Sequence, residues 1–518
     1  MGTLFVISDL HLGGRPTDVP GPGGRPAPAF QFNHSYAALV EFIDWVAAQG
    51  ADAELVLNGD IVDFLAEDDY AVPVSPWTAD EDAAADKLSA IAAHTRGAGG
   101  RGVFEALGDL VRSGAGLTLL VGNHDVELAL PGVRRRLLAL LGAQQRHVHF
   151  IYDGEAYTRG RVLVEHGNRY DWWNRIDHDG LRQERSVRSR GLPVEDAERG
   201  RRYFQPPPGS HLVVEVMNRL KARYRFIDLL KPETGAVLPL VLALEPDLRP
   251  YLDALLRTGR RQLWSYLPGG RMFDNPGYMG AEAAARPGAG LDAVLADVLP
   301  AQEAALFSEP GEAVAPDPGQ MSAVSDFAAG VHAAAGIWLA GTIDRLVGAP
   351  GSLAAQARQD PARVPDRQRR RLHAALKAAH KQDRSFEPDT EDACYLDAAR
   401  ATIDGGAIDV VVYGHTHLAK RMRVDGGGRE GWYLNTGTWC DVMRLPDAID
   451  ADYADAGQVL DDFLGALAVN DFEPYVRRHL TFAEIAIDDR SGQAASPALH
   501  AFGGRASPRL PWPGAQPS

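Results

Sequence analysis

The sequence predicts an α/β protein carrying a large helical insertion, and three observations lead there. Short apolar, β-branched runs recur along the chain, each followed at once by polar residues. Amphipathic helical stretches separate several of these runs. In a long middle segment, from about residue 170 to 400, the strand pattern stops and helical spacing takes over.

The runs lie at residues 3–7, 54–57, 117–121, 161–164 and 408–413, with a further one at 480–487. Runs this short, bounded by Gly and Asp, read as buried strands. Residues 36–48 read as a helix, with Leu39, Phe42, Ile43 and Val46 on one side. Strands alternating with helices imply an α/β sheet, and ligands of such sheets gather at the carboxyl ends of the strands. Each of the first five runs carries His, Asp or Asn at that end. Within the insertion, Leu212, Val216, Leu220 and Tyr224 recur at spacing four, and Phe327, Val331 and Trp338 form a later stripe. Gly- and Pro-rich joints interrupt it at 205–209, 275–290 and 309–320. The expected organisation is a core in two parts, 1–169 and 401–502, a helical insertion over 170–400 that could act as a cap, and a disordered Pro/Gly/Ser-rich tail over 503–518.

Composition narrows the function classes. The 518 residues include 53 Lys and Arg against 69 Asp and Glu, a formal net charge of −16. Broad nucleic-acid binding requires the opposite balance. A small anionic substrate remains compatible, because metals or a local arginine cluster can supply positive charge. The two cysteines, Cys394 and Cys440, make no disulfide framework. With no basic leader at the N-terminus and no apolar run of about 18 residues, a cytoplasmic protein without a transmembrane segment is expected.

Five motifs carry the chemistry: Asp9-Leu10-His11, Gly59-Asp60-Ile61-Val62-Asp63, Gly122-Asn123-His124-Asp125, Glu165-His166-Gly167-Asn168 and Gly414-His415-Thr416-His417. Their carboxylates, imidazoles and amide oxygen suit Mn²⁺, Fe or Zn²⁺ better than an all-oxygen or a thiolate site would. Glycines beside Asp60, Asn123, His166 and His415 permit tight turns. Taken singly each motif reads as an ordinary turn; what distinguishes them is that all five follow strands.

The ordered set resembles the calcineurin-like metallophosphoesterases, whose pattern is DxH, GDxxD, GNHD, His-Gly and GHTH. The resemblance implies two packed mixed β-sheets flanked by helices, and a centre of two divalent metals. Asp9, His11, Asp60 and His417 would hold one metal, and Asp60, Asn123, His166 and His415 the other. A metal-bridging hydroxide would attack the phosphate ester, a phosphodiester or phosphomonoester of a small molecule, while His124 assists as the catalytic donor. Asp63 and Asp125 would orient histidines from behind. UDP-2,3-diacylglucosamine hydrolase, of the same superfamily, also inserts helices after the fourth motif. Its insert is far shorter, and it carries Arg where this chain has His124. A non-catalytic scaffold of the same fold is the reading from another class, which the intact ligand set opposes.

Substrate contacts are sought among arginines, Arg169 three residues from His166 and Arg15 in the Gly/Pro-rich loop at 13–29. The other arginines, including 182–190 and 367–371, read as solvated helix faces. Among the remaining histidines His178 stands out, with Arg169, Asp171, Arg175 and Asp177 around it, although a structural role is its simpler reading.

Overall fold

The computed structural model describes residues 2–14, 33–66, 76–78, 80–96, 100–171, 174–192, 203–207, 209–210, 213–221, 224–230, 233–253, 291–308, 352–382 and 387–512. Its strands are β1 (Gly2–Ile7), β2 (Ala53–Asn58), β3 (Gly116–Leu120), β4 (His149–Ile151), β5 (Tyr157–Arg159), β6 (Val162–Val164), β7 (Val410–Tyr413), β8 (Lys420–Gly426), β9 (Arg429–Asn435), β10 (Asp441–Met443), β11 (Val476–Arg478), β12 (Thr481–Ile487), β13 (Ala498–Ala501) and β14 (Leu510–Pro511). They form a seven-stranded sheet ordered β14-β13-β12-β1-β2-β3-β4, a five-stranded sheet ordered β5-β6-β7-β9-β8, and a β10-β11 ribbon. β1 to β4 pair in parallel and β12 joins β1 antiparallel, so the large sheet is mixed. The small one is mixed too, parallel at β6-β7-β9 and antiparallel at its edges.

Side-chain alternation along the strands builds the layers. Leu4 and Val6 of β1 point into a core shared with Val162, Val164, Val410 and Val412, which packs the two sheets face to face. Phe5 and Ile7 point the other way, onto α1 (Tyr36–Ala47), α2 (Glu81–His94), α3 (Val103–Arg112) and α4 (Pro131–Leu141). Local signals set the ends of these helices: the Asp80 carboxylate caps α2, and α4 starts on Pro131 and ends at Gly142 in the left-handed region. α5 (His178–Arg188) adds Leu181 to the same core, and α11 (Ala393–Asp404) covers the outer face of the small sheet through Tyr395, Ala399 and Ile403.

A separate helical layer contains α6 (Glu233–Leu244), α7 (Leu291–Val298), α8 (Ala301–Ser308), α9 (Leu353–Gln359) and α10 (Asp366–Gln382). Leu238–Leu244 of α6 are buried almost all round, as expected for a core helix. The layer has a second contributor that the expected boundaries put elsewhere. α12 (Gly457–Val469) buries Leu460, Phe463, Leu464 and Leu467 in this same core, and Phe463 meets Phe226 edge-on at 5.3 Å. The β10-β11 ribbon forms the neck of that excursion, with Met443 opposite Val476.

The tail also differs from expectation. Its described part, 503–512, is ordered: Leu510 pairs with Ala501 and Trp512 is buried between the sheets. An aromatic side chain and an edge position, where Pro511 loses no ladder bond, outweigh the composition. The stripe at Phe327, Val331 and Trp338, with Leu212, lies outside the described residues. No helix among those described is long and apolar enough to cross a membrane.

Candidate metal centre

Asp9, Asp60, His166 and His415 each stand two residues past the end of their strand, β1, β2, β6 and β7, and Asn123 stands three past β3. Backbone bonds fasten the first two loops side by side: the N–H of His11 donates to Asp60 O at 2.9 Å, and that of Asp63 to Leu12 O at 2.9 Å. The His415 N–H donates to the Asp9 carboxylate at 3.0 Å, and the His124 N–H to Asp60 Oδ1 at 2.8 Å. Two glycines make this convergence possible. Gly59 has φ +76° and a β-carbon there would enter the His166 ring; a β-carbon at Gly122 would enter the Asp60 carboxylate.

Backbone strain is concentrated in these loops. Six non-glycine residues among those described have positive φ, and five are Asp9 (54°), His11 (39°), Asp60 (48°), His415 (69°) and His417 (61°). The left-handed region costs a non-glycine residue about 1–2 kcal/mol. Such strain persists where surrounding structure imposes it, and it accumulates at functional sites. The sixth residue, Asn470, only ends α12.

The side chains form overlapping groups whose potential ligand atoms lie within 4.8 Å of one another: Asp9, His11 and His417; His11, Asp60 and His124; Asp60, His166 and His415. His417 Nε2 is 3.2 Å from Asp9 Oδ1, His166 Nε2 is 3.2 Å from Asp60 Oδ2, and His11 Nε2 is 3.0 Å from His417 Nε2. Two imidazole nitrogens this close to each other, each beside a buried carboxylate, suit a shared cation. Asn123 Oδ1 is buried without a hydrogen-bond partner, which also fits a ligand oxygen. The clustered donors are consistent in chemistry with a binuclear divalent-metal site.

Electrostatics agree. Burial by itself would raise the Asp60 carboxyl, yet His166, His124 and His11 hold it well below the usual carboxylate range. The same balance, with His417 opposing burial, lowers Asp9. Burial would lower His166, but the charges of Asp60 and Asp9 push it up to about 10. The potential at this point therefore favours positive charge.

The residues around this set divide into those that join it and those that do not. Asp63 contacts two histidines, His11 Nδ1 at 3.2 Å and His124 Nδ1 at 3.2 Å. Asp125 orients no histidine. Its carboxylate turns back into the loops and accepts from Ile61 N at 2.7 Å and Gly122 N at 2.6 Å, tying the second and third motifs together. Burial and the Asp60 charge push its carboxyl up to about 7. Arg169 is committed internally, with Nε 3.1 Å from Glu165 and a guanidinium nitrogen donating to Gly154 O. Arg15 lies outside the described residues. His178 is packed against Gly154, and burial and then Arg169 depress it to about 4. Residues that motif reading did not single out complete the frame: the Thr438 hydroxyl donates to Asp9 O at 2.6 Å, Asn435 Nδ2 to Gly414 O at 2.8 Å, and Asp171 approaches His415. Asn435 ends β9 and Thr438 follows it, a strand that no apolar run of the sequence singled out.

No curated protein matches the chain. His415 and His417 lie beyond the span that matches a family, and the pairing of β6 with β7 brings them to the centre. Together with the clustered ligands, the match of residues 2–216 to the family model for Calcineurin-like phosphoesterase supports a metallophosphoesterase, a hydrolase of phosphate esters.

Proposed function

We propose that the chain hydrolyses a phosphodiester or phosphomonoester of a small molecule at a dinuclear centre. Asp9, His11, His417 and Asp60 hold one cation in this reading, and Asp60, Asn123, His166 and His415 hold the other. The observation that carries it is the placement of five of these residues in left-handed backbone, around the buried carboxylates of Asp9 and Asp60. Two divalent cations there would supply an activated water nucleophile and neutralise phosphoryl charge. His124 works beside them. Asp63 Oδ1 lies 3.2 Å from its Nδ1, and in this reading the ring serves as donor to the leaving oxygen.

The helical layer is assigned the choice of ester. One of its legs leaves after Phe204, which is still packed in the core of the large sheet, and the other after Asp441, two residues past Trp439, whose N–H reaches Asp9 O at 3.4 Å. Between them Asn218 Nδ2 donates to Leu65 O at 2.7 Å, just past Asp63. A layer rooted at these points can roof the centre and select substrate while the loops supply the chemistry.

A hydrolysis panel with added Mn²⁺ tests the reading, using a monoester, a simple diester, cyclic nucleotides and nucleotide-diphosphate lipids. Turnover of at least one, abolished by chelation and restored by metal, is expected. Two bound metals with no turnover of any ester would instead make the chain a scaffold.

A further inference from the structure

Three histidines of the centre have a ring nitrogen engaged from behind, and one is engaged in the opposite sense. His11 and His166 use Nδ1, toward Asp63 at 3.2 Å and toward Asn58 O at 2.8 Å. His415 uses Nε2, which lies 3.1 Å from Asp171 Oδ2, while its Nδ1 is buried without a hydrogen-bond partner. A neutral imidazole carries one N–H and one lone pair. A carboxylate at Nε2 takes the N–H there and leaves the lone pair on Nδ1.

Asp171 is itself held in place. The turn Asn168–Tyr170 begins one residue after His166, past Gly167, and delivers Asp171 at its end. Asn174 Nδ2 donates to Asp171 Oδ2 at 2.7 Å, and Asn168 Nδ2 donates to Asn174 O at 3.0 Å. Behind the turn, the Tyr170 hydroxyl donates to Glu165 at 2.5 Å and the Tyr413 hydroxyl to Tyr170 at 3.3 Å. Asp171 and His415 are 244 positions apart in the chain, on either side of the helical insertion.

We propose that Asp171 is a positioning residue that locks His415 in the Nε2–H tautomer and so offers Nδ1 as a ligand to the second cation. The inference rests on the dinuclear reading above. It also makes the two cations separately addressable, because Asp63 supports a histidine of the first group and Asp171 one of the second.

The test uses the full chain, stripped of metal and titrated with Mn²⁺ by equilibrium dialysis, with electron paramagnetic resonance of the bound ions and ¹⁵N shifts of the metal-free imidazoles. Asp171→Ala is expected to keep one Mn²⁺ at wild-type affinity and loosen the other by about 10–100-fold. The spectrum should change from a coupled pair to an isolated ion at intermediate Mn²⁺, and the His415 shifts should lose the pure Nε2–H pattern. Asp171→Asn, which keeps the shape and one acceptor oxygen, should fall between. Two wild-type affinities in Asp171→Ala, or equal weakening of both sites, overturn the inference. If that variant does not fold, Asp171→Asn decides: an unaltered tautomer with two wild-type affinities overturns it. Wild-type protein binding fewer than two Mn²⁺ overturns the dinuclear reading and this inference with it.

Discussion

The loops around Asp60 and the helical layer around Phe463 are both buried, yet opposite kinds of interaction hold them. Around Asp60, carboxylates and imidazoles meet at hydrogen-bond distances on a strained backbone. Around Phe463 the contacts are apolar, with Phe226, Phe472 and Tyr475 packed as rings. Directional interactions fix residue type and position together, whereas apolar packing asks only for volume and pattern. The first region therefore writes a recognisable signature into the sequence and the second does not. The same contrast predicts that damage to the first region removes chemistry and damage to the second removes stability.

The most severe test of that contrast is Asp60→Asn. Losing the shared carboxylate charge should remove bound metal and turnover together, measured by metal analysis and hydrolysis on the same preparation. A variant with two metals and near-normal turnover would break the assignment. His124→Ala should do less: metal content stays and the rate drops by about 10²–10⁴. Loss of metal would place His124 among the ligands, as its grouping with His11 and Asp60 allows. Phe463→Ala sharpens the other side. Its cavity should cost about 3–5 kcal/mol in a denaturant melt while the metal content of the folded protein is unchanged.

The smallest expected effect concerns His178. Its folded pKa, about 4, lies below the ordinary 6.5, so the fold prefers the neutral ring. The corresponding stability is fully present above pH 6.5 and declines as pH falls from there toward 4. His178→Phe should flatten this part of the pH profile relative to wild type, read from urea midpoints at several pH values. Identical profiles would show that the ring titrates normally.

The helical layer also bears on how a deletion should be made. Removing 191–384 alone would strip the partners from Leu460, Phe463, Leu464 and Leu467. A soluble core requires removal of 444–475 as well, closing the chain at the β10-β11 neck. That doubly trimmed protein should still hydrolyse a small activated ester but lose its ranking among larger ones. An unchanged ranking would give the layer a role other than choosing substrate.

Sequence by itself determined the strands β1, β2, β3, β6, β7 and β12 and the His, Asp and Asn residues that cluster at the ends of the first five. Short β-branched runs and side chains that are costly to bury unless paired are local properties, legible without neighbours. Tertiary structure alone decided what those residues touch. Asp63 and Asp125 occupy similar places in their motifs, yet one reaches two histidines and the other caps two backbone amides, because the direction of each loop comes from strand pairing. Edge strands such as β4, β5 and β14 carry too few apolar residues to announce themselves. They exist because a neighbour offers its open hydrogen bonds. α12 was equally hidden, since an apolar stripe shows that a helix is buried but not against which core. Asp171 reaches His415 only because β6 and β7 lie side by side, and that adjacency is a property of the sheet that no local stretch of sequence contains.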